Sequence, residues 1–284
     1  MKNTLATVNN GTRKAGLLPA QLVGVVLGMG CVQLAAAQSW NVHPALTDRY
    51  SIQIGAYFPQ ADTTASLNGT GGRIGTSISF EDDLNLKDRK TVPAILGNMR
   101  LGEKWRLEAE YFSLHRSGSR AVGRTINWGD NTYNVGTTVS SEFNSDIYRL
   151  SGGYSFIKDN QKELGAVLGL HVTDFSATLA APAAGARTGD GLAPLPTVGL
   201  YGAYAFTPQW LLSGRVDYFS LNYNHYDGSL TNFNVGVDYR FTRNFGVGLA
   251  YRYVDYKVTA SKPAYTGELQ YKFSGPMLYG VASF

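Results

Sequence analysis

The chain has 284 residues, with 25 Lys and Arg, 21 Asp and Glu, 44% hydrophobic residues and a single cysteine. Its first 37 residues hold three of the basic residues, none of the acidic ones and the cysteine, which leaves 22 positive against 21 negative charges in the rest. A near-neutral remainder without a thiol excludes charge-driven nucleic-acid binding, a disulfide scaffold, a thiol nucleophile and a thiolate metal centre.

Residues 1–37 read as a secretory signal peptide. Lys2, Arg13 and Lys14 precede an apolar stretch from Gly16 to Leu34, and Ala35-Ala36-Ala37 offers a cleavage site before Gln38. A membrane anchor fits less well, because Pro19, Gln21 and several glycines interrupt the stretch. A lipoprotein site at Cys31 would want an apolar residue three places upstream, where Gly28 stands. About 247 residues remain, 38–284, with no proline-rich or serine-rich linker and no run of 18 apolar residues. They are treated as one domain.

What recurs through that domain is a period of two. Ten strands are expected, near 50–59, 91–101, 105–116, 142–156, 164–179, 195–206, 210–223, 230–241, 245–256 and 268–284. Eight or twelve are the neighbouring counts. Pro93 falls in the second strand, where a missing N–H suggests a bulge or the membrane rim. The ninth shows the pattern best. Phe245, Val247, Leu249, Tyr251 and Tyr253 share one face, opposite Gly246, Gly248, Ala250 and Arg252. Such alternation serves either a soluble sandwich, with the bulky side in a core, or a membrane barrel, with the bulky side in lipid.

Three features select the barrel. Trp105, Phe156, Phe206, Trp210, Phe241 and Phe245 sit beside the short turns, where an interfacial aromatic girdle belongs. The eight steps from Trp210 to Tyr218 run roughly 26 Å along a strand, or about 20 Å across a bilayer at a tilt of about 40°. The connections 102–104, 157–162, 207–209 and 242–244 are short, whereas 60–90 and 117–142 are long, as periplasmic turns and external loops are. The fold class is therefore all-β, an antiparallel up-and-down transmembrane barrel in a bacterial outer membrane, closed so that no strand edge is left in lipid.

The hairpins "GAYAFTPQW" and "VDYRFTRNFGVGLAYRY" and the terminal "LYGVASF" resemble those of outer-membrane barrels of the broad OmpA/OmpX/OmpW-type group, and "GTSISFEDDLNL" and "HRSGSR" are similar to stretches in uncharacterised members. The resemblance covers the whole mature chain and implies membrane lipid, lipopolysaccharide and the outer-membrane assembly machinery as partners of a monomer. It also implies that Phe284 is the terminal aromatic that this machinery reads. Counted back in twos, Ala282, Gly280 and Leu278 share its parity while Met277, Tyr279 and Val281 do not, so the face of Tyr279 stays open.

The inward parity collects Gln53 and His171 with Arg100, Arg106, Glu108, Glu110, Arg149, Arg215, Asp217, Asp238, Arg240 and Arg252, a lumen charge network. An external turn centred near Tyr226 and Asp227 would set Arg215 opposite Asp238. Ten strands with this many large side chains should be largely plugged. Glu81, Asp82 and Asp83 are a candidate cation cluster near the lipid headgroups, with a solvated acidic face as the alternative. Histidines 43, 115, 171 and 225 share no metal-ligand spacing, and no hydrolase, zincin or phosphate-loop motif occurs. No catalytic residue, metal or cofactor is assigned. His115 and Ser117 share the outward parity and are similar to the His-x-Ser arrangement of lipid A deacylases, without an evident orienting carboxylate. The expected function is an envelope structural component or adhesin acting through its external loops. A small ion channel is the alternative, and a lipid A-modifying enzyme ranks third.

Overall fold

A computed structural model describes residues 40–223, 226–262 and 265–284; the expected signal peptide and the His225 position lie outside them. After a one-turn helix α1 (Pro44–Thr47), the strands are β1 (Tyr50–Tyr57), β2 (Gln60–Leu67), β3 (Ile78–Ser79), β4 (Val92–Leu101), β5 (Trp105–Ala121), β6 (Ile126–Trp128), β7 (Asn131–Tyr133), β8 (Thr138–Lys158), β9 (Lys162–Ala181), β10 (Gly185–Ala205), β11 (Trp210–Tyr223), β12 (Tyr226–Arg240), β13 (Phe245–Lys262) and β14 (Tyr265–Ser283). Ten of them pair antiparallel in the order β1-β4-β5-β8-β9-β10-β11-β12-β13-β14, and β14 returns to β1. Every wall strand thus finds partners for its backbone inside the bilayer. β2 continues the line of β1 beyond a break at Phe58-Pro59 and stays on β14, while β6 and β7 form a separate hairpin.

The ten expected strands are the ten wall strands, and several run further outward than the apolar pattern. β9 and β10 pair as far as Ala181 and Gly185, across residues read as loop. Pro93, opposite Ala56, lies on the exposed side one step from the upper end of β1. Pro194 and Pro196 stand in β10 without disturbing its register with β9, so their missing N–H groups face the other edge. On that edge the ladder to β11 stops at Val198 opposite Tyr218.

Outward side chains form a belt. Its lower border is a girdle of aromatic pairs across strands, Trp105 with Tyr154 (4.9 Å), Trp210 with Tyr239 (4.7 Å) and Phe245 with Phe284 (6.3 Å), together with Tyr204 and Phe206 (5.2 Å) at the end of β10. All six expected girdle residues, Trp105, Phe156, Phe206, Trp210, Phe241 and Phe245, are exposed at this level. The upper border has Tyr111 tilted against Tyr148 at 4.9 Å, with Tyr218, Phe233 and Tyr253 further round. Above it the polarity exchanges sides. On β13, Asp255 and Lys257 point out while Val254 and Tyr256 are buried inside. A wall segment in lipid must be apolar outside; one beyond the headgroups behaves like a soluble barrel with an apolar core.

Candidate functional site

The lumen has two tiers. In the lower one, at belt height, Glu108 is shared by three guanidiniums: Arg106 donates to Oε1, and Arg149 (3.2 Å) and Arg215 to Oε2. Arg149 also binds Glu110 (2.8 Å), which accepts from Arg252 (2.5 Å); Arg215 chelates Asp217 (2.8 and 2.9 Å). Arg100 meets Glu163 (2.9 Å), which the sequence reading had left out. Asp238 accepts from the Tyr279 hydroxyl (2.6 Å), which puts Tyr279 inside and Phe284 outside. The ten lumen residues expected from parity therefore all face inward, and seven of them meet in one network around Glu108 and Glu110.

The expected Arg215–Asp238 pairing is not what forms. β11 turns into β12 with Tyr223 opposite Tyr226, so Arg215 faces Asn234 and Asp238 faces Leu211. The connection is shorter than assumed, and each shortening by a residue slides the register with it. Arg215 finds carboxylates at Asp217 on its own strand and Glu108 across the lumen. Tyr201 lies flat beneath Arg106, whose guanidinium is 4.3 Å from the ring centre. Gly165 makes this possible, because a Cβ there would come within 2.3 Å of the tyrosine ring.

The upper tier is an apolar plug. Tyr57, Phe112 and Phe273 meet edge to face at 5.6–6.3 Å, and Phe143, Tyr256 and Tyr271 continue the cluster. The two long connections complete it. Segment 68–91 brings in Ile78, Phe80, Leu84 and Leu86, and 122–137 brings in Ile126, Trp128 and Tyr133, all buried. Both segments lie beyond the belt, as expected, but they fold over the mouth instead of standing away from it. They are sewn together: Thr76 N donates to Asn127 O (2.8 Å), Asn127 N to Thr76 Oγ1 (2.9 Å), and Gly129 N to Leu67 O (2.8 Å). Two hydrogen bonds from Thr70, backbone first, with the Arg187 and Arg73 charges hold the Asp130 carboxyl below its usual range and tie the tip of one segment to the other.

The acidic run is divided among these structural contacts. Glu81 accepts from Thr63 N (2.8 Å) and from Arg116, which lies over the Phe143 and Tyr271 rings. Asp83 accepts from Ser79 N (3.0 Å) and Arg124 (2.8 Å). No group of three His, Cys, Asp or Glu with metal-binding geometry occurs among the described residues.

On the outer wall just above the upper girdle, His115 has partners that its sequence context did not reveal. Its Nε2 is 3.0 Å from Ser113 Oγ and 3.4 Å from Asp146 Oδ2, and Tyr111 donates to Asp146 Oδ1 (3.1 Å). Asp146 comes from β8, where it lies across from Ser113. Hydroxyl and carboxylate share one ring nitrogen, whereas a relay needs the hydroxyl on one nitrogen and the carboxylate on the other. Ser117, the hydroxyl singled out beforehand, makes no hydrogen bond to His115.

The periplasmic mouth is closed by residues 40–48. Leu46 packs on Ala205 and Leu211, Ala45 O accepts from Arg100 (2.8 Å), Trp40 Nε1 donates to Pro208 O (2.8 Å), and Asp48 binds Arg243 and Ser283 (both 2.7 Å). His43 caps α1 through Nδ1, which accepts from Ala45 N (3.2 Å). Burial, and then the Arg240 charge, push its pKa from 6.5 down to about 4. The unfolded chain therefore takes up this proton first, so the contribution is complete above pH 6.5 and is lost as pH falls toward 4. We expect a loss on the order of 2 to 3 kcal/mol from this group. His43→Asn keeps a capping acceptor and should flatten the pH dependence of the urea midpoint between pH 7 and 4.5.

No family model and no curated protein matches the chain. Among solved structures, the outer-membrane protease OmpT of Escherichia coli is similar at 15% identity and a TM-score of 0.57, covering 88% of this chain and 100% of its own. OprG of Pseudomonas aeruginosa, at 12% identity and a TM-score of 0.41, covers 88% and 99%, and the neisserial surface protein NspA, at 16% and 0.30, covers 83% and 97%. The likeness to OmpT is one of fold. With the belt and its two girdles, it makes the chain an outer-membrane β-barrel.

Proposed function

We propose that this outer-membrane barrel is a non-conducting envelope component that meets its partners through the extracellular cap, as a surface adhesin. The observation that supports this reading is an obstructed lumen, in which a cavity of only about 140 Å³ remains at belt height. Ion pairs occupy it at belt height, aromatic side chains occupy it above, and residues 40–48 cover its lower end. What remains for a partner is the cap, where Arg73, Ile74, Arg120, Arg124, Val135 and Arg187 are exposed on a body stiffened by the contacts between the two inserted segments. Connections on a rigid scaffold are where binding is usually built. Lipopolysaccharide is the membrane partner in this reading. The wall above the upper girdle offers its headgroups His115, Asp146, Asp174, Lys257 and Lys272. Phe284, at the exposed end of the last strand, is the residue offered to the assembly machinery.

Planar-bilayer recordings of the wild-type protein are expected to show no discrete conductance steps; reproducible unitary steps would turn the reading toward a channel. A variant carrying Ile74→Ser and Val135→Ser alters only exposed side chains and should keep the heat-modifiable gel mobility of a folded barrel. Cells displaying it should attach to cultured epithelial cells about tenfold less than cells displaying the wild type, for tip residues that dominate the contact. Equal attachment would leave an envelope component without the adhesin.

A further inference from the structure

The lipid-facing side of the wall carries an apolar recess of about 380 Å³. It is built on one row of the ladder, in which Ile52 on β1, Gly97 on β4, Ala109 on β5 and Leu150 on β8 stand side by side. The two small residues in the middle of the row make its floor. From there it runs down past Met99 to Tyr50 and Phe284 at the lower girdle, where these two exchange backbone hydrogen bonds (both 2.9 Å). A glycine inside a strand weakens it, and commonly marks a bulge or a place where a ligand or another backbone comes close. Gly97 pairs with both neighbouring strands in unbroken register, and a Cβ on it would meet nothing within 4 Å. Gly165 makes room for a tyrosine of this chain; the space over Gly97 is left for something that is not protein.

The lower end of the recess says what kind of molecule enters it. Arg49, the residue before β1, is exposed, holds its guanidinium 5.4 Å from the centre of the Tyr50 ring, and has no carboxylate within ion-pair distance among the described residues. A guanidinium beside an aromatic ring at the periplasmic border of the belt suits a phosphodiester. We propose that the recess is a binding site for one phospholipid of the inner leaflet, with its phosphate on Arg49 and one acyl chain laid over Gly97 and Ala109. Lipid A is anchored at the opposite border and would bring its phosphates to the wrong end. Bulk lipid is as apolar as the recess, so the chain is held by packing against the walls and by the charge at its head, not by transfer out of water.

Delipidated protein in detergent, titrated with phosphatidylglycerol and followed by native mass spectrometry, tests this. The wild type should keep one lipid under activation that strips the others. Gly97→Leu fills the recess from a position where a Cβ meets no protein atom, so it should keep the heat-modifiable mobility of a folded barrel. It should weaken that one lipid about tenfold, and Arg49→Gln about fivefold. Phosphatidylglycerol with a diazirine in its acyl chain gives a readout that needs no variant. Illumination should label the peptides that hold Ile52, Gly97 and Ala109 in preference to the far wall around Leu212. Equal retention by the wild type and Gly97→Leu, labelling spread evenly round the belt, or displacement of the lipid by an equal concentration of lipid A would each overturn the proposal.

Discussion

Glu108→Gln is expected to lower the unfolding free energy by about 3 to 5 kcal/mol, the range for breaking a buried ion pair from one side. The size follows from how many cations depend on this one group, which is 6% exposed. Arg149 keeps Glu110 and Arg215 keeps Asp217 when the charge is removed, but Arg106 retains only the face of Tyr201. A glutamine also turns one of its two oxygens into a donor that must point at a guanidinium. The cost therefore falls mainly on Arg106, and the double variant Glu108→Gln, Arg106→Met should recover more than half of it. Urea unfolding into lipid vesicles, followed by the shift in gel mobility, measures both. A loss below about 1 kcal/mol for the single variant would mean that water screens the lower tier well enough to make the pairs individually unimportant.

The belt was legible because the bilayer imposes one rule on every strand that crosses it. Trp210, Leu212, Val216 and Tyr218 advertise their face without regard to what surrounds them, and the polar set between them follows. Several strands run outward past their apolar pattern for a specific reason. Past the girdle the rule inverts, so the apolar parity moves from the odd to the even residues of β13 between Tyr253 and Val254, and in the same way between Tyr111 and Phe112 on β5. Two adjacent apolar residues at the end of a clean alternation are the trace of that inversion. Read for continuation of one phase, they look like the end of a strand. Read for a change of phase, Val254, Tyr256 and Val258 would have disclosed a second core above the membrane. The same signal marks Ile78 and Phe80 in the first long connection as filling for that core. Contacts that depend on register across a connection, such as Arg215 with Glu108, or on a neighbouring strand, such as His115 with Asp146, could not be read from one strand at a time.

The second core should be as sensitive as that of a soluble protein. Phe112→Ala is expected to destabilise the barrel by about 3 to 5 kcal/mol, the usual cost of removing a fully buried phenyl ring. Phe112 is 1% exposed, meets Tyr57 at 5.7 Å and Phe273 at 5.6 Å edge to face, and lies 5.0 Å from the Arg252 guanidinium. It stands where the apolar plug rests on the charged tier, so its loss opens a void against Arg252 that water can enter from below. Phe112→Leu keeps most of the apolar volume but not the ring faces, and it should cost less than half as much. A purely lipid-stabilised barrel predicts otherwise: lumen truncations would then be nearly silent, and only outward changes such as Leu249→Ala would matter. Comparing urea midpoints for Phe112→Ala and Leu249→Ala in the same vesicles separates the two accounts. The inward variant must be the less stable of the pair if the plug, more than the belt, holds the upper half of the barrel closed.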